Sequence, residues 1–183
     1  MKQIFEYIMQ SAESIDTLIK DLNDVLTARS PLNEKRELFA LTEIVKGVCN
    51  NLEQQINTSK AFICIDISDE ANELNSIKSY VQSIVHNLIS NAIKYKSVNR
   101  NPEISIKAWK DADHTYLEVS DNGIGIDLEQ HGQHIFGLYK RFTVQNEGKG
   151  LGLHMTKAQV ESLGGTISIE SQLDKGCTFK IVF

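Results

Sequence analysis

The sequence IVHNLISNAIKYK, residues 84–96, has the two-faced pattern of a helix. Its apolar residues recur at three- and four-residue intervals and form one broad face, with Val81, Ile84, Val85, Leu88, Ile89 and Ala92. Asn87, Asn91 and Lys94 share a narrow polar stripe beside that face. Asparagine is a poor helix residue because its amide competes for backbone hydrogen bonds. The stripe is therefore either an ordinary solvated face or a set of amide oxygens and an ammonium that holds a metal–phosphate group.

The composition is that of an ordinary globular protein, with 183 residues, 41% apolar and 23% charged, and a net charge of −5. The negative charge and the lack of a basic run disfavour nucleic-acid binding. No apolar run approaches the roughly 20 residues of a membrane helix, so we expect no membrane contact and a cytoplasmic location, although a longer parent protein can be membrane-anchored. Cys49, Cys64 and Cys177 are widely spaced and predict reduced core residues.

Residues 2–29 have the pattern of a long helix with a heptad seam. Ile8, Ile15 and Leu22 recur every seven residues, and a second row runs parallel to them. A helix with such a stripe needs a partner, which favours a homodimer, the alternative being a helix that folds back on its own domain. Ser30 and Pro31 end this pattern. We therefore divide the chain into a dimerisation helix, residues 1–30, and a second domain, residues 31–183.

The remaining sequence alternates between helical and strand patterns. Strands are predicted at residues 38–40, 61–68, 103–109, 114–120, 166–170 and 178–183. Helices are predicted at 42–55, with Thr42 as N-cap, at 76–96, and at 151–163, where Gly164 and Gly165 form the C-cap. Residues 69–75 have the composition of a polar turn. This order predicts an α+β fold, a two-layer sandwich with helices covering a mixed, largely antiparallel sheet.

The sequence DNGIG, residues 121–125, follows directly on a predicted strand. Alternation places Asp121 on the same side as Thr115, Leu117 and Val119. If that side faces the helices, Asp121 is a buried carboxylate that needs hydrogen-bond donors. An adenine amino group, with waters, would supply them. The alternative is a turn held by the aspartate side chain, which this motif alone would favour.

The sequence GKGLG, residues 148–152, opens the last predicted helix. Glycine amides at a helix N-terminus form an anion site through free N–H groups and the helix dipole. The spacing matches neither a Walker loop nor a dinucleotide fingerprint. The polar segment from Asp121 to Gly150 is too long for an ordinary connection, which predicts a functional or mobile region.

Taken together and in this order, these segments resemble the ATP-binding domain of sensor histidine kinases, within the superfamily of gyrase, MutL and the large heat-shock chaperone ATPases. HNLISNAIKY resembles the family's N box, DNGIGI its first glycine box and IFGLYKRF its phenylalanine box. GKGLGLHMTK resembles the second glycine box, and KGCTFKIVF the terminal strand. The resemblance covers about residues 37–183. The pattern SAESIDTLIKDLNDVL also resembles the second helix of the kinases' dimerisation hairpin, so a histidine kinase type of fold is expected.

The resemblance implies ATP and Mg²⁺ as cofactors and assigns roles along the chain. Asn87 and Asn91 would place amide oxygens on Mg²⁺, which prefers oxygen ligands. Lys94 would contact phosphate oxygens, and Arg141 or Lys140 would reach the γ-phosphate from a lid at residues 126–147. These roles make Asn87, Asn91, Lys94 and Arg141 the expected catalytic residues.

The same resemblance assigns the nucleotide-binding residues. Asp121 would accept from the adenine amino group, and Thr178 would lie near the adenine water network. The backbone amides of the second glycine box would contact the phosphates. The full set expected around the nucleotide is Tyr95, Asp121, Gly123, Ile124, Gly125, Gly148, Gly150, Leu151, Gly152 and Thr178, with apolar contacts also from Ala92 and Ile126.

The chain departs from the whole-kinase pattern in its histidines. None of the five histidines has the sequence context of the family's phosphoacceptor. The implied activity is therefore transfer of the γ-phosphoryl group to a histidine on a hairpin helix absent from this chain, with a response-regulator receiver domain as the further partner. The alternatives are an ATP-binding and dimerisation module without transfer, and an ATPase of the gyrase or MutL kind. Asn87 argues against hydrolysis, because hydrolases of the superfamily place a glutamate there.

Overall fold

The computed structural model describes residues 35–138 and 150–183. The helix predicted for residues 2–29, the dimer that it implies and part of the lid lie outside these residues. The elements follow in chain order: β1 (Glu37–Ala40), α1 (Leu41–Asn51), α2 (Glu53–Ser59), β2 (Phe62–Ile67), α3 (Asp69–Asn72), β3 (Glu73–Ser76), α4 (Lys78–Lys94), β4 (Glu103–Lys110), β5 (Thr115–Asp121), α5 (Leu128–His131), a 3-10 turn (Gly132–His134), α6 (Gly152–Ser162), β6 (Thr166–Gln172) and β7 (Gly176–Val182).

The strands form a main sheet in the order β2-β4-β5-β7-β6 and a separate ribbon of β1 and β3. In the main sheet β2 and β4 are parallel, and every other neighbouring pair is antiparallel. The helices α1, α4 and α6 pack on one another over one face of the sheet. This arrangement confirms the predicted α+β sandwich with a mixed, largely antiparallel sheet.

The helix α4 forms the centre of the core, as its apolar face predicts. All six residues of that face named from the sequence are buried, and Val81, Ile84, Val85 and Ile89 have no exposed surface. They belong to one apolar cluster with the inward-facing strand residues, among them Ile106 and Leu117. Full burial of each such side chain stabilises the fold by about 1.5–3 kcal/mol. The apolar face therefore fixes which side of α4 is left for the polar stripe.

The strand β5 alternates as the sequence predicts. Thr115, Leu117 and Val119 are buried under the helices, and the residues between them are partly exposed on the other side. On that outer side Trp109 stacks on Tyr116 with 5.2 Å between ring centroids. The alternation places Asp121, the last residue of the strand, on the helix side.

The first helix of the described chain differs from its prediction at both ends. Thr42 is not the N-cap, because the helix begins at Leu41 and its N-cap residue is Ala40. The hydroxyl of Thr42 instead donates to the side-chain oxygen of Asn72, at 2.7 Å. Leu52, with φ −97° and ψ 7°, breaks the predicted helix 42–55 into two, and the second part continues to Ser59. The interruption lets Leu52 enter the core, where it is buried.

The polar segment 69–75 is not a simple turn. Ser68 caps a short helix, α3, by accepting from the backbone N–H of Ala71. The strand β3 follows at once and pairs antiparallel with β1. The pairing joins residues more than thirty positions apart, so the local sequence pattern did not reveal it.

The end of α6 confirms the predicted glycine C-cap. Gly164 has φ +86° and its N–H donates to the carbonyl oxygen of Glu161, while the N–H of Gly165 donates to that of Val160. The cysteines are free thiols, and Cys177 is buried, but Cys64 is exposed, so the prediction of a core residue is wrong there. No helix within residues 35–138 and 150–183 has the length and apolar character that crossing a bilayer requires.

Candidate functional site

The last two turns of α4 carry the polar stripe along the edge of the core. Asn87, Asn91, Lys94 and the following Tyr95 are all half-buried. Within the described residues the side-chain amides of Asn87 and Asn91 have no hydrogen-bond partner, so their oxygens are available to a ligand. Described His, Cys, Asp and Glu side chains form no cluster of three that would hold a metal. Amide oxygens are among the oxygen ligands that a hard cation such as Mg²⁺ accepts.

Asp121 lies at the end of β5 with its two carboxylate oxygens in different environments. Oδ1 accepts from the backbone N–H of Gly123 at 2.8 Å and from that of Cys177 at 3.4 Å. Oδ2 has no partner among the described residues and is not fully buried. Burial raises the pKa of Asp121, and the two backbone donors and the Arg100 charge oppose that rise. The site thus offers one fixed and one free acceptor oxygen.

The turn after Asp121 contacts the end of α4. The backbone N–H of Ile124 donates to the carbonyl oxygen of Tyr95 at 3.0 Å. A Cβ on Gly123 would lie only 2.5 Å from the same oxygen, so no other residue fits there without a shift. This close approach places Asp121 beside the C-terminal end of the helix that carries the asparagines.

The start of α6 contacts the same helix about two turns earlier. A Cβ on Gly152 would lie 3.6 Å from the side-chain oxygen of Asn87. Gly150 has φ +71°, Leu151 is buried, and no side chain caps the N-terminus of α6. The structure therefore brings together around α4 the stripe, the turn at residues 121–125 and the described part of the second glycine box. Arg141, Lys140 and Gly148 lie outside the described residues.

The strand β7 requires a correction to the expected site. Thr178 pairs with Ser120, and their hydroxyl oxygens are 3.0 Å apart on the face of the sheet away from the helices. Cys177 is the β7 residue next to Asp121: its backbone N–H donates to the carboxylate, and its buried thiol interacts with the carboxylate charge. Burial raises the pKa of Cys177 to about 11, so the thiol is neutral at pH 7. Strand alternation from the core residues Phe179 and Ile181 was a signal that would have identified it.

Two further residues bond to backbone atoms of the turns at the site, and neither was predicted. The guanidinium of Arg100 donates to the carbonyl oxygens of Asn122, Gly123 and Asp174. The hydroxyl of Ser171 accepts from the N–H of Ile126 and donates to the carbonyl oxygen of Gly176, both at 2.8 Å. No sequence pattern points to either residue, because each bonds to backbone atoms far away in the chain.

The described part of the predicted lid is attached to α6. Nδ1 of His154 lies 2.9 Å from the carbonyl oxygen of Phe136, so the ring donates to it. The ammonium of Lys157 lies 5.7 Å from the centroid of the Phe136 ring. These contacts hold the segment that leads into residues 139–149 against the helix that begins at Gly152.

A separate hollow lies at the other end of the sheet. It has a volume of about 420 Å³ and its lining includes Arg36, Lys110, Thr115 and Leu163. Thr115 begins the strand that Asp121 ends, so this hollow is remote from the residues described above. None of the expected site residues lines it.

Comparisons with known proteins agree with the geometry. Residues 77–183 match the family model described as histidine kinase-, DNA gyrase B-, and HSP90-like ATPase. The histidine protein kinase SaeS of Staphylococcus aureus strain bovine RF122 / ET3-1 is 26% identical over 187 aligned residues, which include 99% of this chain and 52% of SaeS. The chain thus spans about half the length of this curated relative.

Solved structures show the same fold. The histidine kinase AdeS of Acinetobacter baumannii has a TM-score of 0.79 at 22% identity, over 98% of this chain and 82% of that chain. The catalytic domain of histidine kinase ThkA has a TM-score of 0.70 at 23% identity, over 81% of this chain and 95% of that chain. Full-length ShkA, solved in complex with AMPPNP, has a TM-score of 0.77 at 19% identity, over 97% of this chain and 38% of that chain.

Proposed function

The chain belongs to the family of histidine kinase-, DNA gyrase B-, and HSP90-like ATPases, and we propose that it is the ATP-binding catalytic module of a two-component sensor histidine kinase. It would bind Mg·ATP and transfer the γ-phosphoryl group to a histidine on a hairpin helix outside this chain. The names of the relatives support this assignment. The observation that carries it is that Asp121, the amides of Asn87 and Asn91 and the start of α6 all lie along the second half of α4. Within residues 35–138 and 150–183, Oδ2 of Asp121 and both amides have no hydrogen-bond partner.

The purine would lie at the Asp121 end of the site. Oδ2 of the carboxylate would accept from the adenine amino group, since Oδ1 is already held by two backbone donors. Gly123 and Gly125 would allow the ring to approach the backbone, and Tyr95 and Ile124 would lie beside it. A charged acceptor in a partly desolvated site selects a ligand that donates a hydrogen bond at that position.

The triphosphate would extend along the stripe towards α6. Asn87 and Asn91 would hold Mg²⁺ through their amide oxygens, and the ion would neutralise phosphate charge. Lys94 would contact phosphate oxygens, and the amides at Gly150 and Gly152 would donate to them at the helix N-terminus. We further assign the backbone amide of Gly148, in the second glycine box, to the phosphates, and the side chain of Arg141 or Lys140, on the lid, to the γ-phosphate.

The proposed reaction moves one phosphoryl group between two partners. The bond from the γ-phosphorus to the β–γ bridging oxygen breaks, a bond to a histidine ring nitrogen forms, and ADP leaves. Such transfer depends mainly on positioning and on charge stabilisation, which amides, a lysine and glycine N–H groups supply. Asn87 has no carboxylate with which to activate water, and this supports transfer over hydrolysis.

The proposed partners follow from the same assignment. The heptad pattern of residues 2–29 supports a homodimer through that helix. The phosphoacceptor would come from a dimerisation hairpin, and a response-regulator receiver domain would take the phosphoryl group next. This scheme places the module in the cytoplasm, where ATP is supplied.

Calorimetric titration of the full chain with Mg·ATP tests the binding step. We expect Asn91→Ala to weaken Mg·ATP binding and to change binding of ATP without magnesium much less. The matched control is Asn50→Ala, which removes an exposed asparagine on α1. If the unsubstituted chain fails to bind ATP, the proposal is wrong.

The transfer step has its own test. The chain would be incubated with γ-labelled ATP and a sensor-kinase hairpin that carries its histidine as a separate protein. We expect acid-labile phosphohistidine on the hairpin and no comparable release of free phosphate. Steady phosphate release without labelled hairpin would identify an ATPase instead.

A further inference from the structure

Arg100 joins two turns that are distant in the sequence. Its side chain leaves the segment between α4 and β4 and donates to the carbonyl oxygens of Asn122 and Gly123, in the turn after β5. It also donates to the carbonyl oxygen of Asp174, in the turn between β6 and β7. A planar guanidinium with five N–H donors suits such a fork, whereas a lysine ammonium does not reproduce it.

The two turns lie against each other with no side chain between them. A Cβ on Gly125 would lie 2.0 Å from the carbonyl oxygen of Gln172, and one on Gly176 would lie 1.9 Å from the carbonyl oxygen of Asp121. Both glycines have positive φ, at +68° and +106°. The backbones are thus in direct contact, and hydrogen bonds set their relative position.

The segment that carries Arg100 contacts the first turn at a second point. The carbonyl oxygen of Tyr95 accepts from the N–H of Ile124, and the carbonyl oxygen of Ile124 accepts from the N–H of Asp174 at 2.8 Å. Arg100 completes this arrangement from the outer side. We propose that Arg100 is a positioning residue for the nucleotide, which holds the two turns together so that the Asp121 carboxylate stays directed at the purine. This inference rests on the proposed function.

The charge of Arg100 supports the same role. Burial raises the pKa of Asp121, and the nearby guanidinium lowers it. In the described chain the other ionisable group that interacts with this carboxyl is the Cys177 thiol, which is neutral at pH 7. A protonated carboxyl is a poorer acceptor for an amino group. Without Arg100 the pKa of Asp121 rises further, so acidification abolishes nucleotide binding at a higher pH.

The experiment compares the full chain with Arg100→Met and Arg100→Lys by titration with Mg·ATP from about pH 4, close to the ordinary pKa of an aspartate, up to about pH 8. We expect Arg100→Met to weaken binding about tenfold at the upper pH and to move the acid limb of the binding curve to higher pH. With Arg100→Lys, the pH at which acid weakens binding should equal that of the unsubstituted chain, while the affinity stays reduced. Lys46→Met, which removes an exposed charge on α1, is the control and changes neither.

The outcomes separate the two proposals. Failure of the unsubstituted chain to bind ATP overturns the proposed function and this inference together. Binding by Arg100→Met with unchanged affinity and unchanged pH profile overturns the role of Arg100 alone. If Arg100→Met does not fold by circular dichroism, Arg100→Lys decides, because reduced affinity with an unchanged acid limb is the expected result and unchanged affinity contradicts it.

Discussion

The side-chain oxygen of Asn87 lies 3.6 Å from the point that a Cβ on Gly152 would occupy. This contact joins the middle of α4 to the first residue of α6. Because Gly152 has no side chain, the amide oxygen of Asn87 stays open towards the helix N-terminus. The two helices therefore place a neutral acceptor next to a set of backbone donors, the combination that the proposed Mg·ATP site requires.

We expect Gly152→Ala to separate folding from binding. The added methyl makes an ordinary van der Waals contact with Asn87, and alanine is a better helix residue than glycine, so the free energy of unfolding should rise by up to about 1 kcal/mol. The methyl would cover the amide oxygen, so the affinity for Mg·ATP should fall. Urea unfolding and calorimetric titration measure the two effects. An affinity equal to that of the unsubstituted chain would show that Asn87 does not face the ligand.

We expect Gly125→Ala to destabilise the protein itself. The new Cβ would meet the carbonyl oxygen of Gln172 at 2.0 Å, and the positive φ is unfavourable for alanine. Backbone strain and displacement of the neighbouring turn should lower the free energy of unfolding by about 2–4 kcal/mol. Urea unfolding measures the loss. Gly47→Ala is the control, because nothing lies within 4 Å of its Cβ position in α1, and it should stabilise.

We expect Asp121→Asn to abolish ATP binding while stabilising the free protein at neutral pH. Asparagine keeps Oδ1 for its two backbone donors but replaces Oδ2 with an NH₂ group that opposes the adenine amino group. The pKa of Asp121 in the folded protein is raised above its ordinary 3.8. The carboxyl group therefore contributes its full stabilisation below pH 3.8, and that stabilisation is lost as the pH rises through the folded pKa. The gain in melting temperature should therefore appear above the folded pKa and vanish in acid. A melting temperature lowered at pH 7 would contradict this account.

We expect the thiol of Cys177 to react with an alkylating agent more slowly than that of Cys64. Its pKa is raised to about 11, chiefly by burial, so the reactive thiolate is scarce at pH 7. Iodoacetamide should modify the exposed Cys64 first, and modification of Cys177 should accelerate towards pH 11 and slow when ATP is bound. Peptide mass spectrometry measures both rates in one sample. Equal rates at pH 7 would show that Cys177 is not enclosed as the structure shows.

Much of the site could be predicted because its residues stand in regular local patterns. The α4 stripe follows from helical periodicity, and the inward direction of Asp121 follows from alternation along β5. The same alternation along β7 directs Cys177, and not Thr178, to the side of the sheet on which Asp121 lies, and the prediction for Thr178 did not use it. Arg100 and Ser171 could not be predicted, because their partners are backbone atoms of other turns. Every residue has such atoms, so the sequence does not show which ones a side chain will reach.

The sequence by itself determined the α+β architecture, the buried face of α4 and the order of its candidate ligand-binding segments. Periodicity and glycine placement are properties of residues close together in the chain. They decide which face of each helix or strand is apolar, whatever the later path of the chain. Only the tertiary structure decided the break at Leu52, the pairing of β1 with β3, and the contacts of Asn87 with Gly152 and of Arg100 with two turns. Those features arise when segments distant in the chain compete for the same space and the same hydrogen bonds, and that competition is resolved only in the folded protein.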